Sequence, residues 1–266
     1  MLRTMSQLTE TTFNDLIVCV REVGDYVESL NRSFIKKENK SDGSLVTSSD
    51  YYVHEKLCEF LRNYCPLDGI LSEEAPLIKG STDGLWIMDP IDGTTYYAEG
   101  NPYYRIMLSR SERQKFTSGI IYFPAQKLLA HSQYSTGTFL NGVQSVVSQE
   151  TQIKNDKIYL SQGVSEKLPF TAHKQFQDTG FSILKLISGE IDGMIIRITN
   201  HKIWDVTPFI ALIEHAGGRV TNHLDQEIII DPEEGIQFHG NEDKRILIAS
   251  NSNIHPTLVE MVQCSL

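Results

Sequence analysis

Residues 85–95 read Leu85-Trp86-Ile87-Met88-Asp89-Pro90-Ile91-Asp92-Gly93-Thr94-Thr95. Four consecutive apolar residues have the pattern of a short buried strand, and they run directly into two aspartates three positions apart. Pro90 has no N–H to donate to a ladder, so the strand is expected to stop there, with Asp89 and Asp92 flanking a tight turn. Gly93 permits close backbone approach, and Thr94 is placed to begin a helix. Two carboxylates 4 Å apart at an effective dielectric near 20 repel by about 4 kcal/mol. A hard divalent cation removes that penalty, and magnesium takes one or two carboxylates together with substrate phosphate oxygens. The structural alternative is a capping turn. Asp-Gly also occurs at Asp42, Asp68, Asp83 and Asp192, where a turn is sufficient explanation.

Outward from this junction the chain alternates helical and strand patterns. Leu16, Val20, Val23, Val27 and Leu30 fall at helical spacing over residues 14–30. A second helix is expected from Ser49, as N-cap, through Tyr52, Val53, Leu57, Phe60 and Leu61. Strands are expected at 85–88, 104–109, 119–123 and 127–132, with a hairpin return at 135–142. Beyond residue 150 come strands at 158–161, 194–198 and 246–250. Helices are expected at 181–187, 206–216 and 256–263, the second stopped by Gly217-Gly218. Helices, then antiparallel-looking strands, then alternating elements favour a layered α+β architecture over a doubly wound sheet. The division is expected near residue 150, giving parts 1–150 and 151–266.

The chain has 266 residues, 40% hydrophobic and 22% charged, enough apolar material for a sizeable core. Its formal net charge of -10 disfavours a nucleic-acid backbone as partner, and no RNA-binding pattern of basic residues and stacking aromatics is visible. The same charge repels a small phosphate ester unless a local cation reverses the field. Cys19, Cys58, Cys65 and Cys264 form no C-x-x-C pair and read as buried free thiols of a reducing compartment. The N-terminus shows no signal-peptide core and no segment approaches a membrane span, so a cytoplasmic, membrane-free protein is expected.

Three further acidic segments accompany Asp89 and Asp92. Leu71-Ser72-Glu73-Glu74 ends an apolar stretch, where an ordinary solvated pair is an equal reading. Trp204-Asp205 precedes a helix, where Asp205 is most simply an N-cap. Lys40-x-Asp42-x-Ser44-x-Val46-Thr47-x-x-Asp50 reads alone as a polar turn with a cap. Taken in this order, DGSLVTSSD, LSEE, WIMDPIDGT and IWDVTPFIALIEHAGG resemble the inositol monophosphatase superfamily of metal-dependent, often lithium-sensitive phosphatases, from about residue 10 to the C-terminus. The resemblance implies a layered αβαβα sandwich of the inositol monophosphatase and fructose-1,6-bisphosphatase type, and a homodimer. It implies that Glu73, Asp89, Asp92 and Asp205, with the carbonyl of Ile91, hold two or three Mg2+ ions. It further implies that Gly93, Thr94 and Thr95 hold the substrate phosphate beside Asp92 and Asp205. Glu73 and Thr94 would act in catalysis, Thr94 with an acid partner orienting the attacking water. In the inositol branch that acid directly precedes Leu-Val-Thr, where Ser44 stands here. The bisphosphate-nucleotidase pattern instead fits Asp42, which is therefore expected in the role.

The substrate is less legible. Asp42, Ser44, the LSEE text and Arg197, able to grip a second phosphate bidentately, resemble 3'(2'),5'-bisphosphate nucleotidases. Thr95-Tyr96-Tyr97 is closer to inositol-type text, yet residues 195–203 lack the acid of that branch. Gly100-Asn101-Pro102 is similar to histidinol-phosphate phosphatases. All three small phosphorylated metabolites stay open. The clustered Tyr96, Tyr97, Tyr103 and Tyr104 read as packing or as a stacking platform for a base. A catalytically silent, regulatory relative is the rival of another class. Retention of Glu73, Asp89, Asp92, Thr94 and Asp205 argues against it.

Overall fold

The computed structural model describes residues 9–161, 164, 168–170, 178–199, 201–237 and 245–266. The chain divides into two compact units, Met1–His131 and Ser132–Leu266. The division falls inside a strand, Leu128–Gln133, rather than near residue 150. No polar linker marks it, because the backbone passes from one unit to the next in regular, largely buried structure.

In the first unit, α1 (Glu10–Ser29) starts at Thr9, whose hydroxyl accepts from the Thr12 N–H at 3.1 Å. Short β1 (Lys37–Asn39) and β2 (Leu45–Thr47) pair and lead into α2 (Ser48–Tyr64). Then follow β3 (Gly69–Ser72), β4 (Ala75–Ile78), β5 (Gly84–Asp92) and a short α3 (Thr94–Ala98). β6 (Arg105–Glu112), β7 (Lys115–Phe123) and β8 (Leu128–Gln133) complete the series. The strands lie in the order β4-β3-β5-β6-β7-β8. β3 runs parallel to β5; β5, β6 and β7 are antiparallel neighbours. One face of the sheet is covered by α1 and α2, whose apolar stripes (Leu16, Val20, Val27, Val53, Leu57 and Leu61) are fully buried against Trp86, Met88, Leu108 and Ile120. Each such side chain contributes about 1.5–3 kcal/mol on burial, so this stripe, more than helix propensity, fixes the helices in place. Gly24 lets α1 lie close on the sheet: a Cβ there would sit 2.7 Å from the Tyr122 ring.

The second unit begins with a hairpin, β9 (Gly137–Leu140) and β10 (Val143–Ser145), turning at Asn141-Gly142 with both φ positive. β11 (Ile158–Leu160), α4 (Thr179–Ile187), β12 (Gly193–Arg197), α5 (Ile203–His215) and β13 (Gly218–Asn222) follow. A second hairpin, β14 (Ile229–Asp231) with β15 (Gly235–Gln237), precedes β16 (Ile246–Asn251) and α6 (His255–Ser265). The four-stranded sheet has the order β11-β12-β16-β13. Ile195 and Ile248 point into a core with Leu258 and Val262 of α6. Ile196, Leu247 and Val220 line the opposite face with Val206, Ile210 and Ile213 of α5. The alternation is that of a sheet covered on both faces. Both units are thus helix-covered sheets, the layered α+β class expected. No described helix is long and apolar enough to cross a membrane. All four cysteines are free; Cys58 is buried but Cys264 is exposed, unlike the buried thiols expected.

His255 gives this unit a pH-sensitive contact. It is completely buried, with Nε2 2.9 Å from Thr221 Oγ1 and Nδ1 2.8 Å from Ser250 Oγ, so it ties β13 to β16. Burial first, and then the Arg219 charge, push its pKa down to about 4, against the opposing pull of Asp225. The unfolded chain takes up this proton near 6.5, the folded chain only near 4. Stability is therefore lost as pH falls through that interval, by about 3 kcal/mol at its lower end. Urea unfolding of His255→Gln between pH 7.5 and 4.5 is expected to lack this share of the slope. His131, also pushed down to about 4 by burial and then Arg21, keeps its own share. A slope equal to that of the parent chain would sink the assignment.

Candidate active site

The strand that opens the site does not stop at Pro90, as the sequence suggests, but continues to Asp92. Asp89 pairs with Met107 and Asp92 with Arg105, leaving Pro90 and Ile91 opposite Ile106 alone, which is a bulge. The missing N–H of Pro90 falls where the β6 ladder is interrupted, and the paired stretch of β3 on the other side has already ended at Ser72 opposite Met88. The bulge brings Asp89, 2% exposed, and Asp92 together: a carboxylate oxygen of each lies within 4.8 Å of the other. Gly93 then reverses the chain at φ +83, where a Cβ would lie 2.9 Å from the Tyr103 carbonyl oxygen. Only glycine meets both demands without strain. Thr94 follows as the first residue of α3, with Thr95 exposed behind it.

Thr94 Oγ1 is 2.9 Å from the Ile91 carbonyl and 3.1 Å from Asp50 Oδ1, two alternative acceptors for one hydroxyl proton. Its acid neighbour is Asp50, not Asp42. Asp42 is exposed, and its carboxylate accepts from the N–H and hydroxyl of Ser44 in its own turn. Asp50 is fully buried at the third position of α2, and its other oxygen accepts from the N–H of Thr47 at 2.8 Å and the hydroxyl of Thr47 at 2.6 Å. Thr47, rather than Ser49, is accordingly the N-cap, in a reciprocal capping box. Burial raises the Asp50 pKa, and the hydrogen bonds from Thr47 and Thr94 counter it only in part. The Thr47-x-x-Asp50 spacing was visible in the sequence, but as a helix start. Nothing local says that the same carboxylate also faces Thr94.

Glu73 arrives from β3, and its N–H donates to the Met88 carbonyl at 3.2 Å, which sets it beside the end of β5. Lys40 Nζ bridges Glu73 (2.7 Å) and Glu74 (2.8 Å). Burial works against the Lys40 charge, but these two carboxylates more than offset it and hold its pKa above the ordinary lysine value. Glu74 is pushed up to about 7 by burial, which the Lys40 hydrogen bond moderates. Neither Lys40 nor Arg105, which forms an ion pair with Asp92, carried a role in the sequence reading. Lys40 stood in a polar turn, and Arg105 was one charge in an otherwise apolar strand.

Of the tyrosines, Tyr97 and Tyr104 are buried packing residues. The Tyr97 hydroxyl reaches the Val27 carbonyl and Ser49, and the Arg32 guanidinium lies 4.1 Å from its ring centre. Tyr96 is exposed and meets Tyr103 edge to face at 6.4 Å, so the cluster is not one stacking surface. In the second unit, Asp205 is not the N-cap of α5 but its third residue; it accepts from the Lys202 N–H at 2.7 Å and so closes the first turn. Arg197 ends β12 with its backbone N–H on Ser161 Oγ and is exposed.

In the first unit, Asp89 and Asp92 form an acidic group whose carboxylate oxygens could hold a metal ion. Carboxylate oxygens are hard donors, suited to a hard cation. Residues 7–266 match the sequence model of the Inositol monophosphatase family. The chain belongs to that family. Inositol monophosphatase family members are phosphatases, and the chain is a hydrolase of phosphoric monoesters. It is 26% identical over 238 residues to a histidinol-phosphatase of Chlorobaculum parvum, covering 85% of this chain and 91% of that one. It is 23% identical over 265 residues to an inositol-1-monophosphatase of Caulobacter vibrioides, covering 92% and 95%. An IMPase of Thermotoga maritima has the same fold, with a TM-score of 0.73 at 22% identity over 96% of this chain and 98% of that one. The family is generally metal-dependent, in keeping with this acidic group.

Proposed function

We propose that this family member is a Mg2+-dependent phosphomonoesterase acting on a small phosphorylated metabolite. The observation that carries it is the assembly, within one unit, of Glu73 beside the Asp89/Asp92 bulge and a Thr94–Asp50 hydroxyl–carboxylate pair one turn away. Glu73, Asp89, Asp92 and the Ile91 carbonyl would hold two or three ions. Bound Mg2+ supplies charge neutralisation, an acidified water and a stabilised leaving group. The chain's own part is to place and deprotonate. The Gly93 turn presents the amides and hydroxyls of Thr94 and Thr95 to the phosphate, with Asp92 flanking it. Asp50 takes the Thr94 proton, so that the hydroxyl oxygen accepts from the attacking water and aligns it in line with the leaving oxygen. In-line hydrolysis then needs no covalent phosphoenzyme.

Arg197 is the residue proposed to grip a second phosphate, and a homodimer belongs to the same proposal. A histidinol-phosphate substrate is the second reading, favoured by the Chlorobaculum parvum relative and by Gly100-Asn101-Pro102. The test is phosphate release from adenosine 3',5'-bisphosphate, inositol 1-phosphate, histidinol phosphate and fructose 1,6-bisphosphate, with and without Mg2+. Release is expected only with the metal. Arg197→Ala is expected to lower kcat/KM at least about tenfold for the bisphosphates and by less than about threefold for the monophosphates, the difference expected of one charge-assisted contact. An equal effect on all four removes Arg197 from specificity. Near-zero release throughout identifies a silent family member instead.

A further inference from the structure

Arg105 opens β6 opposite Asp92, directly across the bulge. The next residues along the strand, Ile106, Met107 and Leu108, are fully buried, and Arg105 itself is only 8% exposed. A guanidinium is admitted to such a row only with a charged or hydrogen-bonding partner. One partner is a carboxylate proposed above as a metal ligand: Nη2 of Arg105 donates to Oδ2 of Asp92. Phe123 supports the group from the side, with its ring centre 5.6 Å from the guanidinium carbon. Unlike a lysine, an arginine does not leave such a contact by losing its proton. A divalent ion arriving at Asp92 therefore meets a permanent positive charge on the same carboxylate.

We propose that Arg105 is a built-in cation that sets the metal affinity of the Asp92 side of the site. It positions Asp92 and neutralises it within the fold, and it competes with the incoming ion. The inference rests on the metal reading above and adds a residue that tunes it without touching substrate. Because the guanidinium stays charged across the working range, the competition is set by geometry and not by pH.

The test is Mg2+ and Mn2+ titration calorimetry on the full chain and on Arg105→Met and Arg105→Lys. Arg105→Met keeps the length and removes the charge, and is expected to bind Mg2+ about tenfold tighter, the scale on which residues next to metal ligands act. Arg105→Lys keeps the charge and is expected to stay within about twofold of the parent. Unchanged or weaker binding by Arg105→Met, in a chain that binds metal, overturns this inference alone. Absence of binding in all three proteins overturns the metal reading and this inference with it. Should Arg105→Met not fold, the Nε–H resonance of Arg105 in the parent chain decides. It is expected to shift as Mg2+ saturates the site, and a resonance unmoved at saturation overturns the proposal.

Discussion

Asp89→Asn is expected to reduce Mg2+-dependent phosphate release by about a thousandfold or more while leaving the circular-dichroism spectrum unchanged. The substitution is nearly isosteric at a position that is 2% exposed, so packing is kept. What is lost is one negative charge and one hard oxygen, replaced by an amide that turns hydrogens toward the ion. The attraction between opposite charges at 4 Å is about 4 kcal/mol at an effective dielectric near 20. At 1.36 kcal/mol per factor of ten this corresponds to three orders of magnitude. A second readout separates chemistry from folding. Binding only to the folded state raises the melting temperature, so the rise that Mg2+ causes in the parent should largely vanish in the variant. Turnover within about tenfold of the parent, with the Mg2+ shift intact, would remove Asp89 from the metal set.

Asp50→Asn against Asp42→Asn decides which acid serves Thr94. Asp50 accepts three hydrogen bonds, from the Thr47 N–H, the Thr47 hydroxyl and the Thr94 hydroxyl. Asparagine offers one accepting oxygen and an NH2 that only donates, so it can serve Thr47 or Thr94 but not both. Leaving a buried group unserved costs about 1–3 kcal/mol, and loss of a positioned base costs about 10²–10⁴ in rate. The variant is therefore expected to be both less stable and slower, with kcat falling further than KM rises. Asp42→Asn touches only an exposed turn. It should leave stability within about 0.5 kcal/mol and kcat within a factor of about two, because among the described residues its carboxylate serves only Ser44 in its own turn. The reverse ranking in side-by-side kinetics would restore Asp42.

The contrast between these two acids shows where sequence reading reaches its range. Periodic apolar residues placed most of the helices and strands close to their observed positions, because burial pattern is a local property of the chain. The Asp89–Thr94 segment was recognisable for the same reason: four apolar residues, two acids and a glycine lie within one short window. Element ends were less legible. Pro90 argued for a stop because a ladder was assumed on both sides of it, whereas the bulge against β6 and the earlier end of β3 make its missing N–H harmless. Thr47-x-x-Asp50 read as a helix start, and that is correct as far as it goes. Its second meaning depends on a residue 44 positions away.

The sequence by itself determined the family and the class of fold. The Asp89–Thr94 segment and its acidic companions carry the family pattern in the order of residues alone, and the layered architecture follows from the order of apolar periodicities. Only the tertiary structure decided which polar side chains meet. Lys40 reaches Glu73 and Glu74, Arg105 reaches Asp92, and Asp50 reaches Thr94, each pairing across a separation or a register that the one-dimensional pattern does not carry. The physical reason is that periodicity fixes which face of an element is buried. Strand register, bulges and helix entry angles fix which side chains share that buried space.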